Sequence, residues 1–211
     1  MCQVVLAIAL ITGLYGCEEH DIAPTRDFFP LEQGTKASYR TECVFSWNQS
    51  VWAVDTITLS VSGDTLIDNL RYKKIVNAFG GVEKVVRREG DQYFGMNHEV
   101  YIGFTKEYMF LDVTRKAGDR WEHIKNEGTT KTEYVVKEVN AKHVVNGVEY
   151  TNVIKLEVNY YDNYDDGVNL KLRHTATHYY ADGVGEIYAY YPTPLSGMYS
   201  DVSYSILPAA K

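Results

Sequence analysis

The chain has 211 residues and a formal net charge of −7, which arises from 28 Asp and Glu against 21 Lys and Arg. This acidic balance excludes nucleic-acid binding, which needs a basic surface, and it disfavours docking on an anionic lipid surface. The length suits one domain that can bury a core without disulfides.

The first predicted element is a lipoprotein signal peptide over residues 1–16. An uncharged apolar run, Val4–Leu14, is too short to span a bilayer and is followed by Tyr15, Gly16 and Cys17. The sequence therefore predicts cleavage before Cys17 and attachment of acyl chains, palmitate among them, at Cys17. Two alternatives are a cleaved soluble secreted protein and an uncleaved N-terminal helix. No Lys or Arg precedes the run, and Tyr15 is larger than the residue usual at that position.

A polar tether over residues 17–26 is expected to link the acylated cysteine to a single all-β domain over residues 27–211. Cys43 is the one cysteine in the sequence of that domain, so an internal disulfide is not expected. Because Cys43 alternates in step with Tyr39 and Phe45, we expect it to be a buried free thiol.

Most of the domain alternates apolar and polar residues with the period of two that predicts β-strands. The first strand begins at Tyr39, and the later ones are predicted at Trp52–Val61, Arg71–Ala78, Glu83–Arg88, Gln92–Met96, Lys106–Val113, Thr130–Val139, Asn152–Tyr161, Val168–Tyr180, Glu186–Tyr191 and Tyr199–Ile206. Tight turns are predicted at Ser62-Gly63-Asp64, Asp68-Asn69, Gly80-Gly81, Gly90-Asp91, Asn126-Glu127-Gly128, Asn146-Gly147 and Asp166-Gly167. Short hairpins in succession predict an all-β antiparallel meander with little helix, which forms a strongly curved sheet or a partly closed barrel.

Several short motifs stand out along the predicted domain. The opening motif consists of Asp27, Phe28, Phe29, Pro30, Leu31, Gly34 and Tyr39. The later motifs are Gly63-Asp64-Thr65 with Tyr72, Phe110-Leu111-Asp112, Ala117-Gly118-Asp119 with Trp121, and Gly183-Val184-Gly185-Glu186. Together these motifs resemble those of uncharacterised envelope lipoproteins of the Bacteroidetes. The run Glu18-Glu19-His20-Asp21 after Cys17 resembles the surface-export signal of that group. The resemblance implies an all-β fold and an outer-membrane address, periplasmic or surface-exposed, and it implies no established activity.

His174 and His178 are the first candidate site residues. On a helix they would converge on a metal, but Thr175 and Thr177 between them favour a strand, where their Cα atoms lie about 13 Å apart. We therefore predict that they do not share a metal. The preferred interpretation is two inward histidines bonded to tyrosine hydroxyls. The alternatives are the lining of a ligand cavity and a metal or catalytic role completed from another strand.

Asp162, Asp165 and Asp166 form a weak calcium candidate, because they cluster before a glycine turn. When Gly167 is aligned on the EF-hand glycine, Asp162 and Asp166 fall on ligand positions, but Arg173 falls where the bidentate Glu belongs. Arg cannot coordinate a cation. A solvated hairpin turn is therefore preferred, and no metal or other cofactor is expected.

Tyrosine is abundant, with 18 copies, many of them after residue 150. Strand neighbours face opposite sides, so each adjacent pair places one ring on the outer side. The rings expected there are Tyr161, Tyr179 and Tyr190, which could stack on a sugar or a partner protein. The alternative is that tyrosine is simply a favoured strand residue.

The sequence contains no nucleophile elbow, zinc motif, phosphate loop or paired-cysteine motif. The preferred hypothesis is a non-catalytic binding or assembly module, anchored in the outer membrane through its acyl chains, that recognises a glycan or an envelope partner. One alternative is a carrier that shelters a hydrophobic ligand in a β-cavity, which an open cavity would indicate. The other is an envelope hydrolase acting on glycans or lipids, which a convergent trio of titratable groups would favour.

Overall fold

A computed structural model describes residues 26–45, 50–99, 103–104, 106–125, 128–163, 169–192 and 201–208. These residues form thirteen β-strands and no α-helix, and they include no helix that could cross a membrane. The predicted signal peptide and Cys17 lie outside them. The strands are β1 (Lys36–Val44), β2 (Val51–Ile67), β3 (Leu70–Asn77), β4 (Val82–Glu89), β5 (Gln92–Glu99), β6 (Gly103–Phe104), β7 (Tyr108–Asp112), β8 (Arg120–Lys125), β9 (Thr130–Val145), β10 (Val148–Asp162), β11 (Lys171–Ala181), β12 (Gly185–Pro192) and β13 (Asp201–Ile206).

The strands form one antiparallel sheet in the order β6-β5-β4-β3-β2-β1-β13-β12-β11-β10-β9-β8, and β7 also pairs with β5. Neighbours in the sheet are consecutive in the chain except at β1–β13 and β5–β7. The first and last strands therefore pair in the middle of the sheet. The free edges are formed by strands from the middle of the chain, and the sheet curves into a nearly closed barrel. The predicted all-β meander is confirmed.

The two edges approach each other where β7 and β8 lie side by side. The indole N–H of Trp121 on β8 donates to the carbonyl oxygen of Met109 on β7 at 2.9 Å. The same indole stacks on Tyr134, with ring centroids 5.1 Å apart and the planes 5° from parallel. Trp121 therefore links two strands that share no backbone ladder among the described residues.

Changing Trp121 to Phe is expected to lower the free energy of unfolding by about 1 to 3 kcal/mol, because the half-buried Met109 carbonyl loses its donor while an aromatic ring still packs on Tyr134. Urea unfolding measures the change. Glu122→Gln, at an exposed position of the same strand, is the control and should change the value by less than about 0.5 kcal/mol. Equal effects of the two changes would mean that the hydrogen bond between β8 and β7 contributes nothing to stability.

Two of the predicted hairpin turns have the positive φ angles that a tight two-residue turn requires. The φ values are 49° and 64° at Asp68 and Asn69, and 50° and 78° at Asn146 and Gly147. Both turns are confirmed, and they connect β2 to β3 and β9 to β10.

The turn predicted at residues 62–64 is wrong. β2 continues through these residues to Ile67, and the extra length is absorbed by a β-bulge between Val61 and Asp64, where Gly63 has a φ of 66°. Strand β8 was not predicted, and β9 and β10 are longer than their apolar patterns indicated.

The opening motif closes one end of the barrel. Phe28 is completely buried, and its backbone N–H donates to the Tyr93 hydroxyl at 3.1 Å. That hydroxyl in turn donates to a carboxylate oxygen of Asp27 at 2.9 Å. Asp27 is also bonded through its backbone to Asp182 and Gly183 in the β11–β12 turn. This segment, residues 27–30, is called the plug below.

The largest core cluster includes Phe28 of the plug and is otherwise built mainly from β3–β5, β7 and β9–β11. Its fully buried members include Val86, Leu111, Val136, Leu156 and Ala176. Cys43 on β1 is a free thiol, but it is half-buried rather than fully buried.

Candidate functional site

The barrel interior holds an acidic side chain, Glu186, which lines three adjoining cavity compartments. The tyrosine compartment, of about 290 Å³, is lined mainly by Lys84, Asn97, Tyr108, Phe110, Lys125, Thr132, Tyr134, Tyr160, His178, Tyr180 and Tyr191. The aliphatic compartment, of about 370 Å³, is lined by Tyr39, Ile57, Leu59, Ala189, Tyr191, Val202 and Tyr204. The small plug compartment, of about 50 Å³, is lined in part by Phe29, Pro30, Lys84 and Val184.

The two larger compartments share Glu186 and Tyr191. Pockets that hold small molecules usually measure about 300 to 1,000 Å³. The interior is therefore large enough for a small ligand that extends past Glu186.

A β-bulge in β12 turns Glu186 into the interior. Tyr179 on β11 pairs with Tyr188, but the next residue, Tyr180, pairs with Glu186, so Ile187 is the extra residue. Without this bulge, Glu186 would share the outer face with Tyr188.

His178 is the closest partner of Glu186. Nδ1 of His178 and Oε1 of Glu186 are 2.6 Å apart, and the two side chains are only 9% and 20% exposed. Burial raises the pKa of Glu186, but the bond and charge of His178, the charge of Lys84 and the Tyr180 hydroxyl outweigh it and hold the pKa below its ordinary value. Glu186 is therefore an ionised carboxylate at neutral pH.

The other ring nitrogen of His178, Nε2, is buried and has no hydrogen-bond partner among the residues that the structure describes. The ring of Tyr191 meets the imidazole edge-on, with centroids 5.2 Å apart. His178 is thus held in place by Glu186 on one side and by aromatic packing on the other.

Lys84 projects from β4 into the interior and lies over aromatic rings. Its Nζ is 4.9 Å from the ring centroid of Phe29 in the plug and 5.5 Å from that of Phe110. Burial lowers the pKa of Lys84, and the charge of Glu186 opposes this effect. Within the described ranges, the ammonium has cation–π contacts but neither an ion pair nor a hydrogen bond.

Tyrosine hydroxyls surround these charged groups. Burial, followed by the charge of Glu186, raises the pKa of Tyr108 to about 12, although a bond to Asn97 opposes the rise. Burial and Glu186 also raise the pKa of Tyr39, Tyr160, Tyr180, Tyr191 and Tyr204. These hydroxyls therefore remain protonated at neutral pH, and those not already bonded to Asn97 or Glu186, such as the hydroxyl of Tyr160, can donate hydrogen bonds to a ligand.

The structure confirms that His174 and His178 lie on a strand. His178 lines the tyrosine compartment, and His174 stacks on the cavity residue Tyr160 with ring centroids 4.4 Å apart. The expectation that His178 bonds a tyrosine hydroxyl is wrong, because its Nδ1 bonds Glu186. The described residues contain no group of three potential metal ligands.

The outward tyrosines do not form one compact patch. Tyr179 stacks on His143, with ring centroids 4.0 Å apart, and Tyr190 lies nearby and donates to Asp201 at 2.8 Å. Tyr161 lies six residues along β10 from Lys155, the residue that pairs with Tyr179, which places it roughly 20 Å away. Ligand binding by these three residues stays a prediction.

Of the calcium candidates, Asp162 is described, and one of its oxygens accepts from Arg173 Nε at 2.7 Å. The carboxylate oxygen that would bind a cation is therefore already bonded to the arginine. Asp165 and Asp166 lie outside the described residues.

Of the residues that line the tyrosine compartment, the sequence patterns singled out His178 as a candidate site residue and missed the charged residues Glu186, Lys84 and Lys125. Lys84 lies two residues before the apolar Val86 in β4, so both side chains are on the same face of the strand. This alternation indicates an inward lysine. Glu186 alternates in step with Tyr188 and Tyr190, so a regular strand would place it on the outer face. The glycine at 185 is the remaining hint of an irregular strand.

No protein-family model matches the chain, and no curated protein matches it. Two solved structures align with most of it. A candidate lipoprotein from Parabacteroides distasonis aligns at 9% identity with a TM-score of 0.43, over 84% of this chain and 96% of that one. A candidate exported protein with a YmcC-like fold from Bacteroides fragilis aligns at 9% identity with a TM-score of 0.45, over 86% and 97%. At this distance, neither likeness assigns a function to the chain.

Proposed function

We propose that this chain is a lipid-anchored protein of the cell envelope that binds a small amphipathic ligand inside its barrel. The observation that carries this proposal is the cavity around Glu186, which has hydroxyl groups and charges on one side and aliphatic side chains on the other. Of the functions considered from the sequence, this geometry favours the carrier.

The two larger compartments suit the two ends of one molecule. In the aliphatic compartment, Ile57, Leu59 and Val202 offer a surface for a hydrocarbon group, and each buried methylene contributes about 0.8 kcal/mol. In the tyrosine compartment, the hydroxyls can satisfy a polar end, which would otherwise be costly to bury. A wholly apolar ligand would leave these hydroxyls unpaired.

A hydrolase is the second candidate, because His178, Glu186 and Lys84 converge on one cavity. Such a mechanism would use His178 Nε2 to accept a proton from a nucleophile or a water. That nitrogen is buried and contacts no hydroxyl or thiol in the described part of the chain. The geometry therefore supports binding better than turnover.

Filling the aliphatic compartment should abolish binding. Ala189 is 2% exposed and lines this compartment, so Ala189→Trp would place an indole where the hydrocarbon group is expected. We expect the wild type to bind the neutral dye N-phenyl-1-naphthylamine with a rise in fluorescence, and the variant to lose at least about tenfold in affinity.

The matched control is Ser203→Trp, which adds the same ring on the neighbouring strand β13 at a position that pairs with the outward Tyr190. It should bind the dye as the wild type does. Equal dye binding by wild type and Ala189→Trp, with both variants folded, would contradict an internal site.

The proposed anchor is tested separately at Cys17. Metabolic labelling with a fatty-acid probe should tag the wild type and leave Cys17→Ser unlabelled, because the apolar run before this cysteine indicates a lipoprotein signal. Cys43→Ser is the control, and it should label like the wild type. Equal labelling of Cys17→Ser and wild type would contradict the lipid anchor.

A further inference from the structure

We propose that the polar end of the ligand is an anion, a carboxylate or a phosphate monoester, that pairs with the Lys84 ammonium. This inference rests on the proposed function and adds the charge of the ligand to it. The charged groups of the interior, Glu186 and Lys84, differ in how well their charges are satisfied.

The negative charge of the interior already has partners. Glu186 is bonded by His178 at 2.6 Å, and the Tyr180 hydroxyl also stabilises its carboxylate. A cationic ligand would therefore have to compete with donors that are already in place.

The positive charge of Lys84 is less well satisfied. Its contacts in the described ranges are the faces of Phe29 and Phe110, at 4.9 and 5.5 Å. A ring face attracts an ammonium more weakly than an ionised partner does, because a hydrogen bond between two ionised groups is about twice as strong as a neutral one. The half-buried Lys84 ammonium is held by ring faces and by the charge of Glu186, without a direct bond to a carboxylate, so it has more to gain from an anion than Glu186 has from a cation.

The other residues that line the tyrosine compartment also favour a ligand with a negative charge. Lys125 also lines the tyrosine compartment, where its Nζ lies 5.0 Å from the ring centroid of Tyr108. The Tyr160 hydroxyl is a protonated donor, whereas the Tyr108 hydroxyl already donates to Asn97 Oδ1 at 3.0 Å. Ammonium and hydroxyl donors therefore line the space beside Lys84, which suits the several acceptor oxygens of a carboxylate or phosphate.

The position of Lys84 also fits a head group. Lys84 and Glu186 line both the plug compartment and the tyrosine compartment, and Glu186 also borders the aliphatic one. A head group on Lys84 would leave the hydrocarbon part free to pass Tyr191 into the aliphatic compartment. The two ends of one molecule are thereby placed in surroundings that match them.

The experiment compares three displacers of N-phenyl-1-naphthylamine that share a ten-carbon chain: decanoate, decanol and decyltrimethylammonium. The wild type should bind decanoate at least about tenfold more tightly than the other two. Lys84→Met keeps the packing on both rings without the charge, and it should bind decanoate about tenfold more weakly while its affinity for decanol is unchanged.

Two further variants guard against an effect on folding. Lys84→Arg keeps the charge and should keep the preference for decanoate, and Lys36→Met removes an exposed lysine of β1 and should leave all affinities unchanged. Decyl phosphate, measured beside decanoate, then tells the two anion classes apart.

Decanol binding as tightly as decanoate, or Lys84→Met keeping the preference, would overturn the anionic head group and leave the internal site standing. Preference for decyltrimethylammonium would overturn it in favour of Glu186. Failure of the dye and of all displacers to bind the wild type would instead overturn the proposed function itself.

Discussion

Replacing His178 with leucine is expected to lower the free energy of unfolding by about 3 kcal/mol or more. The change removes the 2.6 Å bond to Glu186 and leaves a carboxylate of which only 20% is exposed without its main partner. Removing one partner of a buried hydrogen bond to a carboxylate is costly, because the remaining carboxylate has lost both water and its donor. Urea unfolding at neutral pH measures the loss.

A double-mutant cycle separates this effect from lost packing. Glu186→Leu should cost less than His178→Leu, because it leaves an imidazole rather than a carboxylate without its partner in the interior. The double leucine variant should be more stable than His178→Leu alone, since two apolar side chains can replace a buried pair at little cost. Additive losses would contradict a coupled pair. Thr177→Leu, next to His178 on the opposite face, controls for the strand position and should change stability by less than about 1 kcal/mol.

The fold was predictable from the sequence because its signals are local. Alternation of apolar and polar residues set the strands, and residue pairs that tolerate positive φ, such as Asp68-Asn69 and Asn146-Gly147, set the hairpins. The errors occur where the chain departs from a regular ladder. The sequence around Gly63 predicts a turn, yet Gly63 belongs to a bulge within β2, because pairing with β3 continues on both sides of it.

The site was less predictable, because its geometry depends on the register between strands. The inward faces of Tyr160, Tyr180 and Tyr191 followed from adjacency in each pair, and His178 was placed inward correctly. The inward position of Glu186 did not follow from alternation, because the bulge at Ile187 reverses which face of β12 each side chain takes, and Gly185 is the one hint of it in the sequence. The meeting of β4 and β12 inside the barrel, which brings Lys84 near Glu186, is a property of closure that one sequence does not reveal.

The second large effect is expected from the plug. Phe28→Ala should lower the free energy of unfolding by about 3 to 5 kcal/mol, because Phe28 is completely buried and its loss leaves a cavity of ring size at the closed end of the barrel. Phe79→Ala is the control, because Phe79 is 98% exposed at the β3–β4 turn, and it should change stability by less than about 0.5 kcal/mol.

Tyr93→Phe distinguishes packing in the plug from its hydrogen bonds. This variant keeps the ring beside the plug but removes the hydroxyl that accepts from the Phe28 N–H and donates to Asp27, so it should cost about 1 to 3 kcal/mol.

Equal stability of Phe28→Ala and wild type would mean that residues 27–30 lie on the barrel without closing it. In that case Phe29 would not be fixed over Lys84, and Lys84 would lack the surroundings on which the anion site depends. The stability of the plug and the charge preference of the cavity are therefore linked, and Phe28→Ala should weaken the preference for decanoate as well as the fold.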